Sequence, residues 1–165
     1  MPSPELETVA DVMTRKLVTV TEQDVVANID AAMHRLRLRH LPVVDADGKL
    51  VGLVSHPDLM HAASSFLSDR EKDRNALIAQ VSVGMIMQRE VLTVQPDDSL
   101  IEAGKLMWES KIGSLPVVDP EGHLVGIITE ADFIAIALQL LGSEIKKSDV
   151  EELARGPRTA RLAAM

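Results

Sequence analysis

Leu41-Pro42-Val43-Val44-Asp45 decides the fold of this chain, because the same five residues recur as Leu115-Pro116-Val117-Val118-Asp119. The two copies lie 74 residues apart, and the same offset aligns residues 9–60 with residues 83–134 without a gap. It carries Gly48 onto Gly122 and Asp58 onto Asp132. Most of the 165 residues therefore form two copies of one supersecondary unit, joined by a connector.

Composition narrows the class of protein. The chain is 46% hydrophobic but only 2% aromatic, which predicts a core of aliphatic residues and of the eight Met residues. Its net charge of −8 argues against an extended face that binds nucleic-acid phosphates. The absence of Cys excludes disulfides and thiolate zinc sites. The histidines follow no metal-ligand pattern, so we expect no metal site; they are His34, His40, His56, His61 and His123.

The location is predicted from the lack of targeting features. Residues 1–14 are polar and acidic and do not contain the apolar run of a signal peptide. The longest apolar stretch, residues 133–141, is about nine residues long, whereas a membrane helix needs about 20. We therefore expect a cytoplasmic protein that makes no use of a membrane.

Each copy reads as strand, helix, strand, turn, strand and helix. The β-branched runs at 17–20 and 91–94 predict the first strands. Asp24 and its counterpart Asp98 are expected to open the first helices, and the second helices are expected to begin near Pro57 and Ala131. One face of the first helix in each copy carries apolar residues at helical spacing: Val26, Ile29, Met33 and Leu36 in copy one, and Leu100, Ala103 and Met107 in copy two.

This order of elements, with Leu-Pro-Val-Val-Asp, a Gly turn, Leu-Val-Gly and Ser/Thr-x-x-Asp in both copies, resembles the CBS domain, named for cystathionine β-synthase. The resemblance covers roughly residues 9–141. It implies an α+β fold in which two β-α-β-β-α repeats pack about a pseudo-two-fold axis as a Bateman module. We divide the chain into repeat 1 (residues 1–67), a helical linker (68–82), repeat 2 (83–141) and a partly disordered tail (142–165).

The resemblance also implies a function. CBS pairs commonly act as regulatory sensors that bind AMP, ADP, ATP or S-adenosylmethionine in the clefts between their repeats. They form homodimers and signal to an effector protein, and they require no cofactor. A ligand-free module for dimerisation or protein interaction is the alternative. Nucleic-acid binding through the Arg-bearing tail, residues 155–165, is a third hypothesis. No nucleophile or Gly-rich phosphate loop stands in a motif, so we do not expect an enzyme.

The Ser/Thr-x-x-Asp motifs, Ser55 to Asp58 and Thr129 to Asp132, are the central candidate site. A helix N-terminus attracts phosphate, and the hydroxyl adds a donor to it. In the family, the Asp accepts hydrogen bonds from the ribose hydroxyls. The alternative is a capping box, in which the two side chains only satisfy the first helical N–H groups.

The two copies differ in charge just before the Leu-Pro strand. Copy one has Arg39-His40, which can neutralise phosphate, and copy two has the neutral Gly113-Ser114. The alternative is that Arg39 sits on a solvated helix end. Thr19 and Thr93 lie on the first strands, which pass the base and sugar in the family. Trp108 is either an interface anchor or a buried residue of the pair. The complete set of candidate ligand residues is Thr19, Arg39, His40, Ser55, Asp58, Thr93, Gly113, Ser114, Thr129 and Asp132.

Overall fold

A computed structural model describes residues 6–64, 76 and 79–142 of the chain. Most of the expected linker, from residue 68 to 75 and residues 77 and 78, lies outside this range. The expected disordered, basic tail also lies outside it from residue 143 onward. The fold is α+β with two matching halves, as the sequence predicts.

Two antiparallel hairpins form the repeated strands. Strands β1 (His40–Val44) and β2 (Leu50–Ser55) pair in one hairpin, and β3 (Ser114–Val118) and β4 (Leu124–Thr129) pair in the other. Both have a register shift at the same place, after Val43 and after Val117. The glycines of the turns, Gly48 and Gly122, have φ of 81° and 90°, a conformation that glycine adopts without strain. The predicted hairpins are confirmed.

The expected first strands are each reduced to one bridged residue. Val20 forms a parallel bridge with Val43, and Val94 forms one with Val117. The bridge at Val20 consists of two main-chain bonds, from Val20 N to the carbonyl of Pro42 and from Val44 N to the carbonyl of Val20. The next bond upstream would need an N–H from Pro42, which proline lacks. The residue that makes the Leu-Pro motif recognisable therefore also stops this strand.

The first helix of each copy packs through the predicted face. Helices α1 (Val26–Leu36) and α3 (Leu100–Ser110) bury the predicted residues, together with Ala32 in α1. Both begin two residues after the Asp that was expected to open them. The carboxylate of Asp24 instead accepts a hydrogen bond from Thr21 N at 2.6 Å, and Asp98 accepts one from Gln95 N at 2.7 Å. These aspartates close the turns that lead into the helices.

The second helices follow directly on the hairpins. Helix α2 (His56–Ser64) begins at the residue after β2, and helix α4 (Glu130–Leu140) begins at the residue after β4. Both starts agree with the sequence expectation to within one residue. Each junction of strand and helix carries one of the Ser/Thr-x-x-Asp motifs.

The compact units of the chain do not divide at the repeat boundaries. Of the described residues, the first-hairpin unit contains 18–64, 76 and 79–91, and the second-hairpin unit contains 6–17 and 92–142. Two short 3-10 helices, Val9–Asp11 and Val83–Met85, are exchanged between the repeats, so that each packs with the hairpin of the other repeat. Val9 and Met13 belong to the core of the second hairpin, and Val83 and Met87 belong to the core of the first.

Candidate functional site

The junction of β2 and α2 brings Ser55 and Asp58 together. The Oδ2 atom of Asp58 accepts a hydrogen bond from Ser55 N at 2.7 Å and another from Ser55 Oγ at 2.5 Å. The Ser55 hydroxyl also lies 3.4 Å from the donor Asp58 N. Both residues are half-buried. The motif thus forms the reciprocal bonds of a capping box, which is the structural role that the sequence left open.

The junction of β4 and α4 repeats this arrangement. Asp132 Oδ2 accepts hydrogen bonds from Thr129 N at 2.7 Å and from Thr129 Oγ1 at 3.0 Å. Two equivalent hydroxyl–carboxylate pairs therefore stand at two helix N-termini, one in each unit. The positive end of each helix dipole lies beside the pair, which favours a phosphate there. In α2 the N–H of His56 already donates to the carbonyl of Arg39, and Pro57 has no N–H.

The residues before the Leu-Pro strands are brought to these junctions. In the first-hairpin unit, His40 pairs with Ser55 across the strands, and His56 N donates to the carbonyl of Arg39 at 2.9 Å. In the second-hairpin unit, Ser114 pairs with Thr129. There Glu130 N donates to the carbonyl of Gly113 at 3.1 Å. The structure therefore gathers eight of the ten sequence-predicted residues into two sets of four.

Thr19 and Thr93 lie in the same units but beside a different part of the strand. Each precedes the residue that bridges to the middle of the Leu-Pro strand, at Val43 or Val117. Thr19 is half-buried and Thr93 is exposed. Within the part of the chain that the structure describes, neither side chain forms a hydrogen bond to the junction residues.

The two junctions differ in charge and in burial. Arg39 is exposed, and its guanidinium forms no ion pair with any residue in the described ranges. His40 is half-buried. Ser114, the counterpart of His40, is only 3% exposed, and its Oγ has no hydrogen-bond partner among the described residues. One junction thus carries an arginine and a histidine, and the other carries a buried hydroxyl.

Gln88 is a further residue at the junction of β2 and α2, and the sequence did not indicate it. Its Nε2 donates a hydrogen bond of 3.2 Å to Asp58 Oδ1. The sequence places Gln88 in repeat 2 and Asp58 in repeat 1, thirty residues apart. The two residues lie in one unit because residues 79–91 belong to the first-hairpin unit. The only available signal was the alignment of Gln88 with Thr14, which shows that the two copies differ here.

Among the described residues, one group of side chains of the types that bind metals is brought together at the turn of the second hairpin. Ligand atoms of Asp119, Glu121 and His123 lie within 4.8 Å of one another. Burial acts to raise the pKa of the Asp119 carboxyl, but hydrogen bonds from the main chain and ring of His123 lower that pKa below its ordinary value. The main-chain bonds to Asp119 have counterparts at Asp45 in the first hairpin, so the turn itself explains them.

Comparisons with known proteins identify both halves. The model of a family described as "CBS domain" matches residues 9–65 and 83–138. A CBS domain-containing protein of Dictyostelium discoideum is 32% identical over 137 residues, which cover 81% of this chain and 92% of the relative.

Two solved structures with bound adenosine compounds are also similar. CBSX2 of Arabidopsis thaliana, solved in complex with AMP, is 31% identical with a TM-score of 0.69, covering 81% of this chain and 98% of that chain. The CBS domain pair of protein MJ0100, solved with 5′-methylthioadenosine and S-adenosyl-L-methionine, is 25% identical with a TM-score of 0.66. It covers 82% of this chain and 95% of that chain. None of the described helices has the length and apolar character needed to cross a bilayer.

Proposed function

This chain belongs to the CBS domain family, and on that premise we propose that it is a regulatory module that binds an adenine nucleotide at its strand–helix junctions. The resemblance read from the sequence is thereby confirmed, whereas the ligand and its residues are our proposal. AMP is the ligand we favour, with ADP, ATP and S-adenosylmethionine as members of the same chemical class. The module signals to an effector protein in the cytoplasm and has no catalytic role of its own.

The observation that carries the proposal is the pairing of a hydroxyl and a carboxylate at a helix N-terminus in both units. The positive end of the helix is suited to a phosphate, while the hydroxyl of Ser55 or Thr129 donates its proton to the carboxylate and holds it in place. The carboxylate of Asp58 or Asp132 is suited to accept hydrogen bonds from the two ribose hydroxyls. A capping role and a binding role are compatible, because an ionised carboxylate has about four lone-pair sites.

The difference between the junctions supports a different ligand for each of them. The Arg39 guanidinium adds a positive charge to this unit and His40 adds an imidazole next to Ser55, so this junction favours a charged phosphate. Gly113 and Ser114 add no charge, so the junction at Thr129 accepts adenosyl ligands with less negative charge. The buried Ser114 hydroxyl, which lacks a protein partner in the described residues, supports a ligand contact there.

The test uses the change from carboxylate to amide. Asp58→Asn and Asp132→Asn keep an oxygen for the cap but remove the charge that attracts the ribose hydroxyls. We expect Asp58→Asn to bind AMP, and Asp132→Asn to bind S-adenosylmethionine, at least about tenfold more weakly in calorimetric titrations, because a charge-assisted hydrogen bond contributes about 1.5–3 kcal/mol. Bound AMP should also raise the melting temperature of the wild type.

Asp24→Asn and Asp98→Asn provide matched controls. Each of these aspartates also accepts a hydrogen bond from a main-chain N–H three residues earlier, but each lies in the turn before α1 or α3. Their AMP affinity should equal that of the wild type. A wild-type protein that binds no adenine nucleotide in the titration, and whose melting temperature is unchanged, would refute the proposed function.

A second candidate role, homodimerisation, is favoured by exposed apolar side chains. Helix α4 buries none of its residues fully, and Ile134 is 60% exposed. Trp108 on α3 is 75% exposed, with Lys111 Nζ 4.2 Å from its ring centroid, which favours the role of an interface anchor. We propose that a second copy of the chain covers these residues, which are large enough to act as interface anchors.

Ile134→Glu tests the dimer. A charge at this exposed apolar position should shift the protein from dimer to monomer in sedimentation experiments, because the buried interface would enclose an unpaired carboxylate. Glu130→Gln, an exposed change on the same helix, is the control and should leave the association unchanged. A wild-type protein that sediments as a monomer at micromolar concentration would contradict the dimer.

A further inference from the structure

The carboxylate of Asp58 is more fully engaged than a simple helix cap requires. Oδ2 accepts two hydrogen bonds, from Ser55 N and Ser55 Oγ. Oδ1 accepts a third from Gln88 Nε2 at 3.2 Å. Because an ionised carboxylate has about four lone-pair sites, about one remains for any further donor.

We propose that Gln88 gates the Asp58 site by competing with the ribose of a nucleotide for Asp58 Oδ1. This inference rests on the proposed function, in which both ribose hydroxyls donate to this carboxylate. Two hydroxyls need two lone pairs, and the Gln88 amide occupies one of them. A ribonucleotide therefore has to displace Gln88 before both of its hydroxyls are accepted.

The main chain holds Gln88 in place, so only its side chain can yield. Leu53 and Gln88 exchange two main-chain hydrogen bonds of 2.9 Å each. The next residue, Arg89, forms an ion pair of 2.8 Å with Glu22. Gln88 itself is exposed, so its amide can turn into water. The gate is thus a rotation of one side chain on a fixed segment.

In the second-hairpin unit, the position that corresponds to Gln88 is occupied by a residue without an amide group. Thr14 is the counterpart of Gln88 and exchanges main-chain hydrogen bonds with Ile127 of 2.9 and 3.0 Å. Threonine is shorter than glutamine and has no amide donor. Gln88→Thr is therefore the substitution that removes the amide from Asp58 and is compatible with the main-chain geometry.

The experiment is a calorimetric titration of AMP into full-length Gln88→Thr. Asp132→Asn is present in every protein compared, so that the signal reports mainly the Asp58 site. We expect Gln88→Thr to bind AMP about threefold to tenfold more tightly than its parent, because one competing hydrogen bond is removed. Gln23→Thr, the same change at an exposed position of the same unit, should leave the affinity unchanged.

2′-Deoxy-AMP is the diagnostic probe. This nucleotide has one hydroxyl at this edge of the sugar. The one remaining lone pair of the Asp58 carboxylate can accept that hydroxyl without displacing Gln88. We therefore expect Gln88→Thr to change its affinity by less than about twofold, which is less than one hydrogen bond. An equal gain for AMP and for 2′-deoxy-AMP would overturn the competition.

The outcomes separate the two proposals. If the parent binds AMP and Gln88→Thr binds it equally or more weakly, then the gate is wrong and the proposed function stands. If neither protein, nor the wild type, binds AMP, both proposals fail. Binding by Gln88→Thr alone would show a gate strong enough to close the site.

Discussion

Gly52 and Gly126 lie against the exchanged segments, residues 79–91 and 6–17. Replacing either glycine with alanine adds one methyl group and tests how closely that segment packs. A Cβ on Gly52 would lie 2.7 Å from Met87 Sδ and 2.9 Å from the carbonyl oxygen of Gln88. A Cβ on Gly126 would lie 2.5 Å from Met13 Sδ and 3.3 Å from the nearest main-chain oxygen, that of Thr14. A methionine side chain can move, whereas a bridged main chain cannot.

We therefore predict that Gly52→Ala lowers the free energy of unfolding by about 1–3 kcal/mol, the usual cost of overpacking. Gly126→Ala should cost less, because the flexible Met13 side chain makes the shortest contacts and the Thr14 carbonyl has to shift by only a few tenths of an ångström. Urea unfolding of the two variants and of the wild type measures both losses in the free energy of unfolding. An equal or larger loss for Gly126→Ala would show that the methionines, not the main-chain oxygens, limit the space.

At the scale of the element, the ends of α1 and α3 carry strain that can be relieved. Arg37 and Lys111 follow the last helical residues and have φ of 53° and 56°. This left-handed conformation costs an L-residue about 1–2 kcal/mol, and glycine loses part of that gain through its greater freedom when unfolded. Glycine is the residue that helices most often use here.

We predict that Arg37→Gly raises the free energy of unfolding by about 0.5–1 kcal/mol. Lys111→Gly should raise the free energy of unfolding by less, because it removes the ammonium group that lies over the Trp108 ring. That contact contributes about 0.5–1 kcal/mol at an exposed site. Arg35→Gly, inside α1, is the control and should destabilise by about 1 kcal/mol. Urea unfolding compares the three; a loss of stability in Arg37→Gly would contradict the argument.

The elements also show how far the sequence could predict the fold. The hairpins and the buried helix faces follow from turn residues and apolar spacing, which act over a few positions. The first strands were predicted too long because β-branched residues at 17–20 favour a strand locally, whereas the partner strand has a proline in the way. The Ser/Thr-x-x-Asp junctions were found because both partners of each bond lie within four residues of sequence.

At the scale of the whole molecule, the sequence could not show that residues 6–17 and 79–91 exchange places. Val9 and Val83 are equivalent residues in the repeat, so each would satisfy either hairpin core equally well. No local pattern states which core receives which valine. For the same reason Gln88 was missed as a partner of Asp58. Predicting it requires knowing which unit the segment joins, and that depends on the path of the chain.

The exchange can be tested with two identical substitutions. Val9 is fully buried with Leu115, Val117 and Ile128 of the second-hairpin core. Val83 is fully buried in the first-hairpin core. Val9→Ala and Val83→Ala should each lower the free energy of unfolding by about 2 kcal/mol, because two buried methyl groups are lost and a small cavity remains.

The location of the change distinguishes exchange from independent folding of each repeat. In amide NMR spectra of the folded full-length protein, Val9→Ala should shift the resonances of β3 and β4, far along the sequence, and leave those of β1 and β2 nearly unchanged. Val83→Ala should do the reverse, so each variant is the control for the other. If each repeat instead packed its own leading segment, the two patterns would be interchanged, since Val9 would then contact the hairpin that follows it most closely in sequence.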